Sequence, residues 1–246
     1  MHALAIIPAR YGSSRFPGKP LAMIAGKPMI QWVYELAKQV AELQEVYVAT
    51  DDHRIAECVQ SFGGQAIMTH GGHASGSDRL AEAADILDLP PEAIIVNIQG
   101  DQVVFAPPVI AELITLLKAD PRADLATPIR GFTDAATARN PNVVKVVFDR
   151  QHYALYFSRA PIPHYRDEGG TPCYFKHIGI YAYRRDFLPR FVQLPPGVWE
   201  AAEKLEQLRA LEFGFKIKVV ETEWETVEVD DPADAPRAEA YLLRAS

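Results

Sequence analysis

Apolar and polar positions alternate in blocks through the first half of the chain. A short apolar run, "ALAII" (residues 3–7), leads into a loop. Met29, Val33, Leu36 and Val40 then recur at helical spacing, with Pro28 suited to that helix's first turn. "EVYVAT" (45–50) predicts the next strand. "DDHRIAECVQSFGG" puts Ile55, Val59 and Phe62 on one helical face and ends at Gly63, placed as a C-terminal cap. "QAIMT" predicts a third strand, and 77–87 a helix with Leu80, Ala83, Ala84 and Leu87 inward. "AIIVNI" (93–98), apolar almost throughout, reads as a central parallel strand. A helix over 107–118 and a strand at "LATPI" come next. This βαβα rhythm predicts an α/β fold: a doubly wound, mostly parallel sheet with helices on both faces. Ligands of such sheets bind outside the carboxyl ends of the strands. That singles out residues 8–19, 50–52 and 99–103.

The rhythm changes after Asn140. "VVKVVFD", "YALYFSR" and "KHIGIYAYR" are aromatic and strand-like with little helix between them. They predict an antiparallel β-rich extension around 140–190, laid beside the parallel sheet and suited to a subunit contact. "WEAAEKLEQLRALEFG" predicts one helix with Leu205, Leu208 and Leu211 apolar and Gly214 near its end. "KIKVVE" reads as a late strand, and the last helix starts at Pro232. No linker, repeat or low-complexity tract divides residues 1–246, so a single domain with an extension is expected.

Composition narrows the function classes. The chain has 246 residues, 48% of them apolar, enough for one substantial core. No apolar run nears the roughly 20 residues that span a bilayer, and the start lacks a secretory pattern. A cytoplasmic protein is expected. Cys58 and Cys173 stand too far apart for a CxxC pair and are expected to be reduced, partly buried thiols. The net charge of −7 argues against nucleic-acid or membrane-surface partners. Against that background Arg10, Arg15, Lys19 and Lys27 all precede the first acid, Glu35. A local cationic field of this kind points to an anionic small molecule.

These cations sit in "IIPARYGSSRFPGKPL" (6–21) and just beyond it. The loop is not a P-loop, since Pro20 follows Gly18-Lys19, and it is not a GxGxxG turn. Yet Gly12, Ser13 and Ser14 allow successive N–H groups to face one concavity, a nest for phosphate oxygens. Arg10, Arg15 and Lys19 add charge-assisted donors. A polyphosphate suits this loop better than a lone carboxylate.

The same loop resembles the signature of the sugar-activating nucleotidyltransferases, and specifically of the CMP-3-deoxy-manno-octulosonate (CMP-Kdo) synthetases. "HASGSDR" (73–79), "VNIQGD" (96–101), "NPNVVKVV" (140–147), "YALYFSRAPIP" (153–163), "KHIGIYAYR" (176–184), "LEQLRAL" (205–211) and "VDDPAD" (229–234) resemble that family's segments in the same order. The resemblance implies a Rossmann-like nucleotidyltransferase fold, CTP and a 2-keto sugar acid as substrates, Mg²⁺ as cofactor, a homodimer and a place in lipopolysaccharide synthesis. It implies that Pro8, Ala9, Arg10, Arg15 and Lys19 hold the nucleotide, Arg10 and Lys19 gripping the triphosphate. Ser75, Gly76, Ser77 and Gln99 would read the base, with Arg79 fixing that loop. Asp101 and Asp230 would be the metal carboxylates, and Arg10, Lys19 and Asp101 the catalytic set. Arg159, His177, Tyr181, Glu206 and Gln207 would hold the sugar acid.

Plainer readings stand beside these. Ser77 suits the N-cap of its helix, Glu206 and Gln207 a surface face, and His177 a structural histidine. Asp230 suits a helix cap, for which Asp231 is the better candidate. The chain also departs from the family: "QGDQVVF" carries Gln102 and Val103 where the family usually has Glu-Pro, and "ETEWETVEVDD" is more acidic than the usual glycine-bearing approach. The departures leave open 8-amino-Kdo, another (sialic-like) sugar acid, or a homologue that binds without turnover.

Overall fold

The computed structural model describes residues 2–12, 16–73, 75–167 and 172–245. In chain order the elements are β1 (Ala3–Ala9), β2 (Met23–Ile24), β3 (Lys27–Pro28), α1 (Met29–Ala37), β4 (Glu45–Thr50), α2 (His53–Ser61), β5 (Gln65–Met68), α3 (Gly76–Ile86), β6 (Ile94–Asn97), α4 (Pro107–Ala119) and β7 (Leu125–Phe132). Then come α5 (Ala135–Arg139), β8 (Lys145–Phe148), β9 (Ala154–Ser158), β10 (Tyr174–His177), β11 (Tyr181–Arg184), α6 (Leu188–Val192), α7 (Val198–Glu203), α8 (Gln207–Glu212), β12 (Ile217–Glu221) and α9 (Ala235–Ala245).

β1 shows why the first strand is apolar on both sides. Its pleat sends Ala3, Ala5, Ile7 and Ala9 into one core, with Val33 of α1, Ile55 of α2 and Ile110 of α4. Leu4 and Ile6 enter the other, with Leu80 of α3, Leu188 of α6 and Leu208 of α8. Helices thus cover both faces, and a strand between them needs no polar side. β1 pairs in parallel with β4 and β6, and β4 with β5.

The large sheet runs β5-β4-β1-β6-β11-β7-β10-β8-β9, with β12 also on β7. β11 is not laid beside the parallel sheet, as the sequence suggests; it is inserted between β6 and β7, antiparallel to both. Its residues Tyr181, Ala182 and Tyr183 are all buried, which suits the middle of a covered sheet better than its edge. Ala126 of β7 faces both Ala182 and Lys218, and Ile129 faces both His177 and Glu221. So β11 and β10 lie end to end along one edge of β7, and β12 takes the other. A bridge from Tyr153 to Lys218 then curls the β-rich part back onto β12.

The predicted helix over 199–214 is broken. Lys204 sits in the left-handed region (φ 54°) between α7 and α8. The break folds α8 back so that Glu212 accepts from the N–H groups of Val198 (2.9 Å) and Trp199 (3.1 Å) at the start of α7. A Cβ on Gly197 would lie 1.9 Å from the same carboxylate, which would then have to swing aside. Arg159 holds the break itself. Its Nε donates to the Glu203 carbonyl (2.7 Å), Nη2 to the Lys204 carbonyl (3.4 Å) and Nη1 to the Pro141 carbonyl (2.9 Å). Nearby, the fully buried Lys145 donates to the carbonyls of Asn140, Val143 and Arg159, tying the loop before β8 to the one after β9. Both cysteines are free; Cys58 is half-buried, whereas Cys173 is exposed rather than partly buried. No helix among the described residues is long and apolar enough to cross a membrane.

Arg159→Ala should lower unfolding free energy by about 1.5 kcal/mol, the worth of charge-assisted bonds to the freed carbonyls, read by urea denaturation. Unchanged stability with a raised KM for a sugar substrate would instead free Arg159 for ligand binding.

Candidate active site

β1 and β6 end side by side, and a cleft of about 270 Å³ opens there. Pro8, Ala9 and Arg10 line it from the end of β1, and Gln99, Gly100 and Asp101 from the end of β6. His73, Ser75, Gly76 and Arg79 enter from α3 and the turn before it, and Lys19, Pro20 and Asp230 close the remaining side. Two of the three strand ends singled out in the sequence therefore form the cleft. The third does not line it: Asp52 caps α2 by accepting from the Arg54 N–H (2.9 Å), and Asp51 stands 3.2 Å from Arg79 Nη2.

Local chemistry sets Lys19. The Gly18 N–H donates to the Tyr11 carbonyl (3.0 Å), closing the loop. Gly18 is left-handed (φ 69°), and a Cβ there would press within 3.1 Å of the Tyr11 ring. A short 3₁₀ turn, Lys19–Leu21, comes next, with Pro20 buried. Ser13, Ser14 and Arg15, part of the expected phosphate nest, lie outside the described residues.

The Lys19 ammonium stands 2.6 Å from Asp101 Oδ2 and 3.4 Å from Asp230 Oδ1. Asp230 arrives on a strap that leaves β12 and runs back over the end of β6. The Val227 N–H donates to the Val104 carbonyl and the Val229 N–H to the Asp101 carbonyl, both at 3.0 Å. Asp231, not Asp230, caps the short 3₁₀ turn Pro232–Asp234, accepting from the Ala233 N–H (2.9 Å). Glu228, also on the strap, is exposed on one side but otherwise enclosed by protein. That burial, then the neighbouring Asp101 and Asp230, push its carboxyl up to about 7 against the pull of Lys176 and Lys19. Gln102 does not line the cleft. It is fully buried, its amide donating to the Val104 carbonyl (3.5 Å), and its Oε1 has no partner among the described residues.

On the α3 side, Ser75 is the N-cap, exchanging bonds with Asp78 in a capping box. Ser77, read as a possible cap, instead donates its hydroxyl to Glu206 Oε2 (2.7 Å). Arg79 is buried and ties Thr69 Oγ1 to its own helix. Gln99 donates to Asn97 Oδ1 (3.4 Å).

Four of the sugar candidates gather on the α3 face of the sheet, outside the walls of the cleft. His177 shares a hydrogen bond with Thr127 Oγ1 (3.0 Å) and packs edge-on against Phe157. Part of its surface is accessible, but protein surrounds the ring, and that burial lowers its pKa to about 3. It is neutral. Tyr181 lies 5.3 Å from it, ring to ring. Burial holds the Glu206 carboxyl above its ordinary range despite the bond from Ser77. Gln207 is 7% exposed, and its Nε2 has no partner among the described residues. Glu206 and Gln207 are therefore not on a free surface face. Arg159 stands apart, its guanidinium engaged at the helix break.

His73 and Glu82 were not singled out by sequence reasoning, although His73 opens the "HASGSDR" motif. Only the fold shows that Glu82, two turns into α3, reaches back to the turn that carries His73.

The family model for cytidylyltransferases matches residues 4–217. A 3-deoxy-manno-octulosonate cytidylyltransferase of Syntrophus aciditrophicus (strain SB) is 53% identical over 240 residues, 98% of this chain and 97% of that protein. An 8-amino-3,8-dideoxy-manno-octulosonate cytidylyltransferase of Shewanella pealeana is 53% identical over 243 residues, 98% of this chain and 99% of that protein. The solved structure of a CMP:2-keto-3-deoxy-manno-octonic acid synthetase complexed with CTP matches with a TM-score of 0.93 at 46% identity, covering 100% of each chain. Likeness at this level, over a cleft built from the motifs that carry it, shows that the chain belongs to the 3-deoxy-manno-octulosonate cytidylyltransferase family.

Proposed function

We propose that this protein transfers CMP from CTP to a 2-keto sugar acid, Kdo, giving CMP-Kdo for lipopolysaccharide synthesis and pyrophosphate. One observation carries the reading: an ammonium and two carboxylates from three distant segments meet in the cleft at the strand ends. The names of the relatives support it, and the CTP in the matched structure supports the nucleotide. A relative named for the 8-amino sugar acid is equally similar, which makes that sugar the second reading.

In the reaction a sugar hydroxyl oxygen bonds to the α-phosphorus, the bond from α-phosphorus to the bridging oxygen breaks, and pyrophosphate leaves with its electron pair. The hydroxyl proton passes to solvent. Such transfers are mostly positioning and charge neutralisation. Arg10 and Lys19 grip the triphosphate, with Pro8 and Ala9 forming the floor beneath it. Ser75 and Gly76 present backbone groups to the base, and Gln99 reads it from the strand end. Ser77 and Arg79 act from behind, one holding Glu206 and the other the turn before α3.

Mg²⁺ fits the donor chemistry. Among the described residues no three or more side chains are arranged to hold a metal by themselves. Asp101 and Asp230 already share one cationic group, and Mg²⁺ takes one or two carboxylates with phosphate oxygens and water. When bound, it would neutralise phosphate charge and acidify the attacking hydroxyl. A neutral His177 offers the sugar hydrogen bonds rather than a positive charge, alongside Tyr181, Glu206 and Gln207. A homodimer is part of this reading, supported by the exposed apolar side chains of Val198 and Trp199, and so is action in the cytoplasm.

Asp101→Asn should keep the melting temperature within a few degrees and cut Mg²⁺-dependent pyrophosphate release from CTP and Kdo by more than about a hundredfold. A folded, fully active variant would remove Asp101 from the site. Glu206→Ala should raise the KM for the sugar acid about tenfold or more, with the KM for CTP little changed; equal effects on both would make it a structural residue. His177 also predicts a pH effect on stability. Above its ordinary value of 6.5 the ring is neutral whether the chain is folded or not; below it, the ring takes up a proton only on unfolding, which favours the unfolded state. Stability should therefore fall as pH drops from about 6.5 toward 3, and less so in His177→Gln, as followed by urea unfolding at stepped pH.

A further inference from the structure

The turn before α3 is held by a carboxylate the reaction does not consume. Glu82 points back along its helix and accepts the His70 N–H on both oxygens, at 3.1 Å and 2.9 Å. The same Oε2 accepts from His73 Nε2. Arg79, one turn earlier, holds Thr69 from the same helix. The two side chains therefore pin residues 69–73 at both ends, against the helix whose N-terminus opens the cleft.

His73 is the part of this turn that lines the cleft, beside Ser75, Gly76 and Arg10. Its side chain is largely buried, 18% exposed. With Nε2 engaged as the donor to Glu82, the tautomer is set and Nδ1 is the ring's remaining polar atom. Among the described residues no hydrogen bond is made by Nδ1. An imidazole oriented by a carboxylate, on a residue that lines the cleft and with its second nitrogen uncommitted, is arranged to meet a ligand.

We propose that His73 is a nucleotide-contacting residue and that Glu82 is its positioning residue. His73 Nδ1 accepts a hydrogen bond from the nucleoside part of the substrate, from a ribose hydroxyl or the exocyclic amine of the base. A lone pair at Nδ1 disfavours the phosphate oxygens, which are acceptors; those belong to the cationic side at Arg10 and Lys19. The inference rests on reading the cleft as a CTP site.

Calorimetric titration of the whole protein with CTP and Mg²⁺ tests it. Wild type should bind; no binding would overturn the CTP reading and this inference together. Given wild-type binding, His73→Ala should weaken CTP about tenfold, the scale of one lost hydrogen bond with its geometry. Pyrophosphate release at saturating CTP should change far less. Glu82→Ala should weaken CTP similarly, while Glu82→Gln, which keeps an acceptor oxygen, should restore most of it. Titration with 2′-deoxy- and 3′-deoxy-CTP identifies the donor. A ribose contact makes wild type lose affinity for one deoxy analogue while His73→Ala does not; a base contact makes His73→Ala lose equally on all three. Unchanged CTP affinity in folded His73→Ala would overturn the inference and leave the CTP reading standing. So would a Glu82→Gln as damaged as Glu82→Ala.

Discussion

Two ionised carboxylates repel each other in a small space unless a cation stands between them, and here Lys19 is that cation. Asp101 and Asp230 both lie within ion-pair distance of its ammonium. At Asp230, nearly half exposed, water weakens the pair, so little stability should be assigned to it. Its importance is geometric. The three residues come from the first loop, the end of β6 and the strap after β12, and their meeting decides where the cleft is.

Much of the rest of the architecture serves that meeting. The apolar first strand sits between two helical layers, so its carboxyl end is rigid and its loop starts from a fixed point. The strap is fastened by backbone bonds at Val104 and Asp101, and by Arg130, which donates to Glu225 (2.8 Å). The C-terminal helix closes the circuit, Glu239 accepting from the Ala25 N–H (2.9 Å) just beyond the Lys19 loop. The first and last parts of the chain thus support each other around the acids.

The α3 side is built on a different principle. There the polar groups are buried among apolar ones and held by specific bonds. Ser77 meets Glu206 because α7 and α8 are broken at Lys204, and the break persists because Arg159 takes its free carbonyls. A buried carboxylate, a neutral histidine and an unpaired glutamine amide would each be costly in an ordinary core. Together they form a polar cluster on the α3 face, beside the cleft.

Periodicity along the chain was enough to place nearly every element of the parallel half, since a strand covered on both faces must be apolar throughout and a helix beside it must be amphipathic. Strand-end position was likewise enough to point to Arg10, Lys19 and Asp101, because open sheets present their loops on one rim. Local pattern could not tell that β11 enters the middle of the sheet, because a short apolar strand looks alike at either place. Nor could it tell that one leucine-rich helix would break at Lys204, since the carbonyls freed there are met by Arg159, 45 residues away. The pairing of Glu82 with His73, and of Ser77 with Glu206, depends on which side chains the packed helices bring within hydrogen-bond reach. The chain's own pattern determined the layers and the rim; the tertiary contacts alone decided which polar groups meet there, because hydrogen bonds act over a few ångströms in space and leave no period in the sequence.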